Sequence, residues 1–336
     1  MLSVAAVALV LSMAVALGIG SVSVPVLDVL AVVGRRLRLG DFGVPLVDDQ
    51  IVWQLRMPRV LGAAAVGAAL AVCGAVLQSL TRNDLADPYL LGISGGAGAG
   101  AVTVIVLGVT FAGFAGSAAV ATAAFVGALG ALGLVLGLAA GRGGALAPTR
   151  TVLAGVAIGQ ICAAYTSFLV IVTGDRDSAR RVLDWTLGSV AGLRWGTTIP
   201  LTVLAVLATV LVLGVSRQLD AFAFGELSAR SLGIEVTRLR WVLLVGTALV
   251  TAVLVAFVGA IGFVGLVIPH MVRLVTGPGH LFLLPMSALC GAILLVWSDT
   301  IARTAVAGQE IPLGVVTGVL GAPVFAFLLR RQGSET

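Results

Sequence analysis

The chain has 336 residues, 59% hydrophobic and 10% charged, with 20 basic and 15 acidic side chains and a formal net charge of +5. Soluble domains carry about 25% charged residues and at most about half apolar ones, so a soluble globular enzyme is excluded, and a disordered or fibrous chain with it. Every basic residue is arginine; with no lysine, the chain can form neither a GK[ST] phosphate loop nor a Schiff base.

The mean hydropathy is +1.14, and about 198 hydrophobic residues, at about 20 per crossing, allow roughly ten membrane-spanning helices. Charge-free apolar runs cover 1–27, 60–81, 88–141, 151–174, 195–216, 241–272, 281–298 and 311–329. The first is read as a span rather than a cleaved signal, because no basic region precedes it. The run 88–141 is too long for one helix and is expected to break around Gly108–Ser117. The run 241–272, with Gly259, Gly262, Gly265 and Pro269, reads as one full span followed by a short broken one. The expected fold is therefore all-α and polytopic, a single transmembrane domain over 1–336 with ten helices and both ends on one side. Arginine counts do not orient it: alternate loops hold ten each. The positive charge is read as flank and loop charge, not as a nucleic-acid surface.

Glycine makes up 44 residues. Gly92, Gly96 and Gly100, Gly133 and Gly137, and Gly314 and Gly318 keep the spacing of four that lets helices approach closely in lipid. Cys73, Cys162 and Cys290 stand alone in apolar runs and read as buried small residues, with no metal or disulfide framework. No carboxylate falls inside any run after the first, which argues against a self-coupled ion transporter. No nucleophile–base set or metal pair suits a membrane enzyme. A chain that moves cargo uphill without a coupling group of its own takes energy from a partner.

The stretch 217–241 mixes charge with Phe222, Phe224, Leu227, Leu232 and Ile234, and Gly225 and Gly233 divide it into two short helices. It is read as a lever for a soluble motor subunit, or else as a helix lying on the membrane surface. The stretch 175–195 reads as an amphipathic helix that either anchors at the interface or helps close the mouth.

Six segments carry a resemblance: QLRMPR at 54–59, NDLADPYLLGISGGAGAG at 83–100, GELSARSLG at 225–233, GAIGFVGLVIPHMVRL at 259–274, LLPMSALCGAILLVWSDTIAR at 283–303 and EIPLGVVTGVLGAPVFAFLL at 310–329. They resemble the iron-siderophore and cobalamin ABC importer permeases, in order, from about residue 50 to 330. The cobalamin branch looks especially close at 225–233 and 259–274. One departure is Asp84, where the family usually has proline; it is expected to loosen the turn.

The resemblance implies a type II importer permease of ten helices in the cytoplasmic membrane, with both termini cytoplasmic. Its implied partners are a second permease (a copy or a sister chain), two cytoplasmic ATP-binding subunits and an extracytoplasmic substrate-binding protein. ATP and magnesium then sit on the ATPase, and this chain holds no cofactor and no catalytic site. By the resemblance, Arg56, Arg59 and Arg303 accept acidic residues of the binding protein. The alternatives are interfacial anchoring for the first two and an i,i+4 pair with Asp299 for Arg303. Gly225, Glu226, Ala229, Arg230, Leu232 and Gly233 match the ATPase-coupling motif. Thr149, Thr151, Gln160, Tyr165, Thr166 and Ser167 are expected along the path or gate. His270 reads as a structural hydrogen-bonding residue or a gate. The expected cargo is a ferric siderophore, with cobalamin or haem as alternatives.

Overall fold

A computed structural model describes residues 1–20, 22–40, 42–141, 146–223 and 225–332. Ten apolar helices run through them: α1 (Leu2–Gly18), α2 (Met57–Thr81), α3 (Ile93–Leu107), α4 (Gly116–Ala139), α5 (Pro148–Thr173), α6 (Trp195–Gly214), α7 (Val236–Val258), α8 (Val264–Thr276), α9 (His280–Ala302) and α10 (Leu313–Gln332). All ten expected segments are present. α1, α3, α8 and α10 are the shorter apolar helices, and the other six are long and apolar enough to cross a membrane.

The charged stretch 28–59, which lies between the first two apolar runs, is largely helical. It holds Val26–Arg36 and Leu46–Gln50, then a π-helical turn, Ile51–Arg56, that runs straight into α2. Arg56 and Arg59 therefore stand on one continuous helix. The expected short helices form at Arg176–Thr186, Ser216–Ala223 and Glu226–Ser231. Asp175 caps the first of them, its carboxylate accepting from the Ser178 N–H at 2.7 Å. Phe224 lies outside the described residues.

α2 is the central rod. In the segment Leu46–Thr81 the apolar window is 89% buried, against 11% for α5. α2 packs against α6, α7, α8 and α9, while α3, α4 and α5 form a second group joined to the first chiefly through α7. Glycine makes the central approach possible. A Cβ on Gly74 would collide with the Gly265 carbonyl of α8, and one on Gly67 with the Gly291 carbonyl of α9. The spacing-of-four reading found Gly96 and Gly100, which meet α4, but not these two contacts. Gly133 and Gly137, expected at a contact, face open space.

The α7–α8 break is held by its surroundings. Gly259 ends α7 with φ +71, and Phe263 opens α8 in the left-handed region at φ +69. The freed Ile261 N–H donates to the Tyr89 hydroxyl at 2.8 Å. An unpaired amide at this depth would cost as much as a lost hydrogen bond. Hydroxyls inside the helices turn back on their own backbone for the same reason: Thr103, Thr122, Thr166, Thr173, Thr209 and Thr251 each donate to the carbonyl four residues earlier.

Replacing Gly74 with valine should force α2 off α8 and destabilise the chain by about 3 kcal/mol. Gly133→Ala should leave stability within about 0.5 kcal/mol. Thermal unfolding in detergent checks both; equal melting points would refute the close approach.

Candidate functional site

Contacts divide the charged groups between two ends of the bundle. At one end, α2 begins, α9 finishes and α1 finishes. Arg59 bridges two carboxylates there: its Nε donates to Asp299 at 2.9 Å, and its two terminal nitrogens donate to Glu310 at 2.9 and 3.1 Å. Asp299 is buried and also pairs with Arg303 at 3.8 Å, the i,i+4 pair expected as the alternative reading. Arg303 further donates to the Ala16 carbonyl at 2.6 Å. Arg56 is buried and donates to the carbonyls of Leu17 (2.7 Å), Gly18 (3.1 Å) and Val22.

Arg56 and Arg303 thus hold the last carbonyls of α1, where the helix dipole favours a cation. Arg56 is committed to this structural task. A cavity of about 630 Å³ opens at this end, lined among others by Arg56, Arg59, Arg194, Arg303 and Glu310. Arg194 is the exposed arginine among them, and its guanidinium donates to the Ala191 and Leu193 carbonyls. Its sequence neighbourhood carries no motif that marks it out from other loop charges. The cavity can bind anionic groups: guanidinium forks pair carboxylates with directional, bidentate bonds.

At the opposite end lies the 217–241 segment. Ala229 is fully buried, and Phe222 is buried beneath the Arg240 guanidinium, 5.7 Å from its ring centre. Arg230 is exposed, and so are Leu227 (85%) and Leu232 (71%), two large apolar side chains. Gly225 and Gly233, at φ +98 and +80, make the bends that aim them outward. The side chain of Glu226 lies outside the described residues. Leu227 belongs with the outward set, which the periodicity alone did not separate from Phe222.

The Asn83 turn is not loosened by Asp84. Leu85 and Ala86 donate to the Asn83 side-chain and main-chain oxygens, and Asp84 pairs with Arg273 at 2.5 Å. His270 is buried with its ring 3.7 Å from Asp84, a contact too long for a hydrogen bond.

The α5 residues separate. Thr151 is buried and back-bonded to Ala147. Thr166 spends its hydroxyl on Cys162, and the Tyr165 hydroxyl pairs with Thr103 at 2.8 Å. Thr149, Gln160 and Ser167 are exposed, and their spacing of 11 and 7 puts them on one helix face.

Glu310 lies in the turn before α10, and hydrogen bonding to Arg59 holds its carboxyl below the usual glutamate range. A depressed carboxylate stabilises the fold above its unfolded pKa and loses that contribution as pH falls through the folded value. Glu310→Gln should cost no more than about 1 kcal/mol for so exposed a pair. The gap should be full above about pH 4.3 and close below it; melting curves of both proteins across that range check this.

Residues 8–331 match the FecCD transport family. The chain is 43% identical over 301 residues to the cobalamin import system permease protein of Halobacterium salinarum, covering 87% of this chain and 76% of that one. It is 42% identical to the vitamin B12 import system permease protein of Vibrio cholerae, covering 85% and 84%. A solved metal-chelate type ABC transporter in an inward-facing conformation superposes with a TM-score of 0.84 and 29% identity, over 98% of each chain. PsaBC from Streptococcus pneumoniae, at 18% identity and TM-score 0.58, shares the fold. The protein belongs to the FecCD transport family and is a multi-pass membrane permease of an ABC importer.

Proposed function

We propose that this permease carries cobalamin inward across the cytoplasmic membrane, driven by ATP hydrolysis on a separate subunit. The observation that carries the cargo is the identity of 42–43% over most of the chain to permeases named for cobalamin or vitamin B12. That identity turns the preference away from the ferric siderophore expected from the sequence. The lysine-free sequence leaves the phosphate-binding loop, and with it ATP and magnesium, to two partner ATPases.

In this reading both termini and the 217–241 segment face the cytoplasm, and Leu227, Arg230 and Leu232 dock the ATPase. The Arg59 end faces outward and receives the acidic lobes of a binding protein. Arg194 meets those lobes, and Arg59 does so by exchanging Glu310 for a carboxylate of the incoming protein. Thr149, Gln160 and Ser167 line the path against a second permease, whose α5 covers the face this chain leaves open. The path is apolar with sparse uncharged polar groups, which lets a bulky ligand slide rather than bind. Asp299, locked between two arginines, is no free proton carrier for a stand-alone transporter.

The test is uptake of labelled cobalamin and of labelled ferric siderophore in cells with and without the gene. Loss of cobalamin uptake alone is expected; loss of siderophore uptake alone would overturn the cargo. Charge and contact can be separated at the two ends. Arg194→Glu should weaken binding-protein association about tenfold while the ATPase still co-purifies. Leu227→Glu with Leu232→Glu should release the ATPase instead. The reverse pattern would invert the proposed orientation.

A further inference from the structure

Ser79, His280 and Asp220 form a continuous polar chain that the functional reading so far leaves unused. Asp220 sits on the short helix Ser216–Ala223, His280 opens α9, and Ser79 lies in the last turns of α2. The Asp220 carboxylate accepts from the His280 backbone N–H at 2.9 Å and from its ring Nδ1 at 2.6 Å. The other ring nitrogen, Nε2, meets the Ser79 hydroxyl at 2.5 Å. His280 is buried.

Such a triad can be hydrolytic, but not here. The amides around Ser79 are committed to the helix ladder, so no donors are placed to hold an oxyanion. The geometry is that of a brace. Asp220 supplies a carboxylate to the N-terminus of α9, where both the dipole and an orphan N–H favour it. The carboxylate fixes the proton on Nδ1. A neutral ring then accepts the Ser79 proton on Nε2. A protonated ring donates to Ser79, whose own proton turns to the Ala75 carbonyl at 2.9 Å. Both bonds survive in either state, so the tie is mechanical and not a pH switch.

What it ties is a rigid unit. Down the length of α2 and α9, Arg59 faces Asp299, Gly67 faces Gly291 and Ser79 faces His280. Numbers rise on one helix as they fall on the other, so the two are antiparallel and clamped at both ends and in the middle. From Ser79 to Arg59 is 20 residues, or about 30 Å along the helix.

We propose that Asp220, His280 and Ser79 are positioning residues: they form the linkage through which the Ser216–Ala223 helix moves the α2–α9 pair relative to α3 and α4, carrying a displacement from the ATPase side to the Arg59 end. This rests on the importer reading. Both ends of the pair belong to one packed body, so a shift at Asp220 has a physical route to Arg59.

The test uses the permease assembled with its ATPase subunits, with Cys73, Cys162 and Cys290 replaced by alanine and spin labels at Ala307 and Ala115, which are exposed. The inter-label distance is read with and without ATP. In the otherwise unchanged chain ATP should shift the distance. Asp220→Ala and Ser79→Ala should each cut the shifted fraction about fivefold or more. The double variant should be no worse than either single, because both cut one chain. If Asp220→Ala does not assemble, the isosteric Asp220→Asn is expected to cut the shift less but measurably. A full ATP-driven shift in the single variants, or additive losses in the double, overturns the linkage and leaves the importer reading standing. No ATP-driven shift in the parent chain overturns the proposed movement of the α2–α9 pair against α4, and the linkage with it.

Discussion

The close approach of α2 to α8 and α9 is the constraint on which the rest of the molecule depends. In lipid there is no hydrophobic drive to push one apolar helix onto another, so association rests on van der Waals contact and on satisfied polar groups. Gly67 against Gly291 and Gly74 against Gly265 let backbone meet backbone, and the ion pair and hydrogen bond at the two ends of α2 set the register. Once α2 is fixed, α6, α7, α8 and α9 have a surface to pack on, and α3, α4 and α5 follow through α7.

That core carries a division of labour among its arginines. Arg56 and Arg303 hold the carbonyl end of α1, Arg59 is held by Asp299 and Glu310, and Arg194 stands exposed. The charges that look equivalent along the chain are not so in space. Those nearest the core are hydrogen-bonded to carbonyls or paired with carboxylates, because an unpartnered charge there is costly. The charge at the rim, Arg194, stays exposed.

The fold was largely legible in the chain. Ten spans, the breaks at residues 108–115 and 259–263, and the two short helices before Gly233 follow from hydropathy, glycine and length. What was not legible was which members of a span touch. Gly67 and Gly74, seven apart, bring α2 against α9 and α8, whereas the four-spaced Gly133 and Gly137 face open space. Likewise Thr151 and Thr166 count as polar letters in a span, yet their hydroxyls return to their own backbone, leaving Thr149, Gln160 and Ser167 as the uncovered polar face.

Sequence by itself determined the medium, the helix count and the absence of a phosphate-binding lysine, since these are matters of composition and run length. The six matched segments identified the family. Tertiary structure alone decided the pairings: Arg59 with Glu310, Asp84 with Arg273, and Asp220 with His280 and Ser79. Each joins residues at least 60 positions apart, and no local period reports a contact that exists only after the helices have been brought side by side.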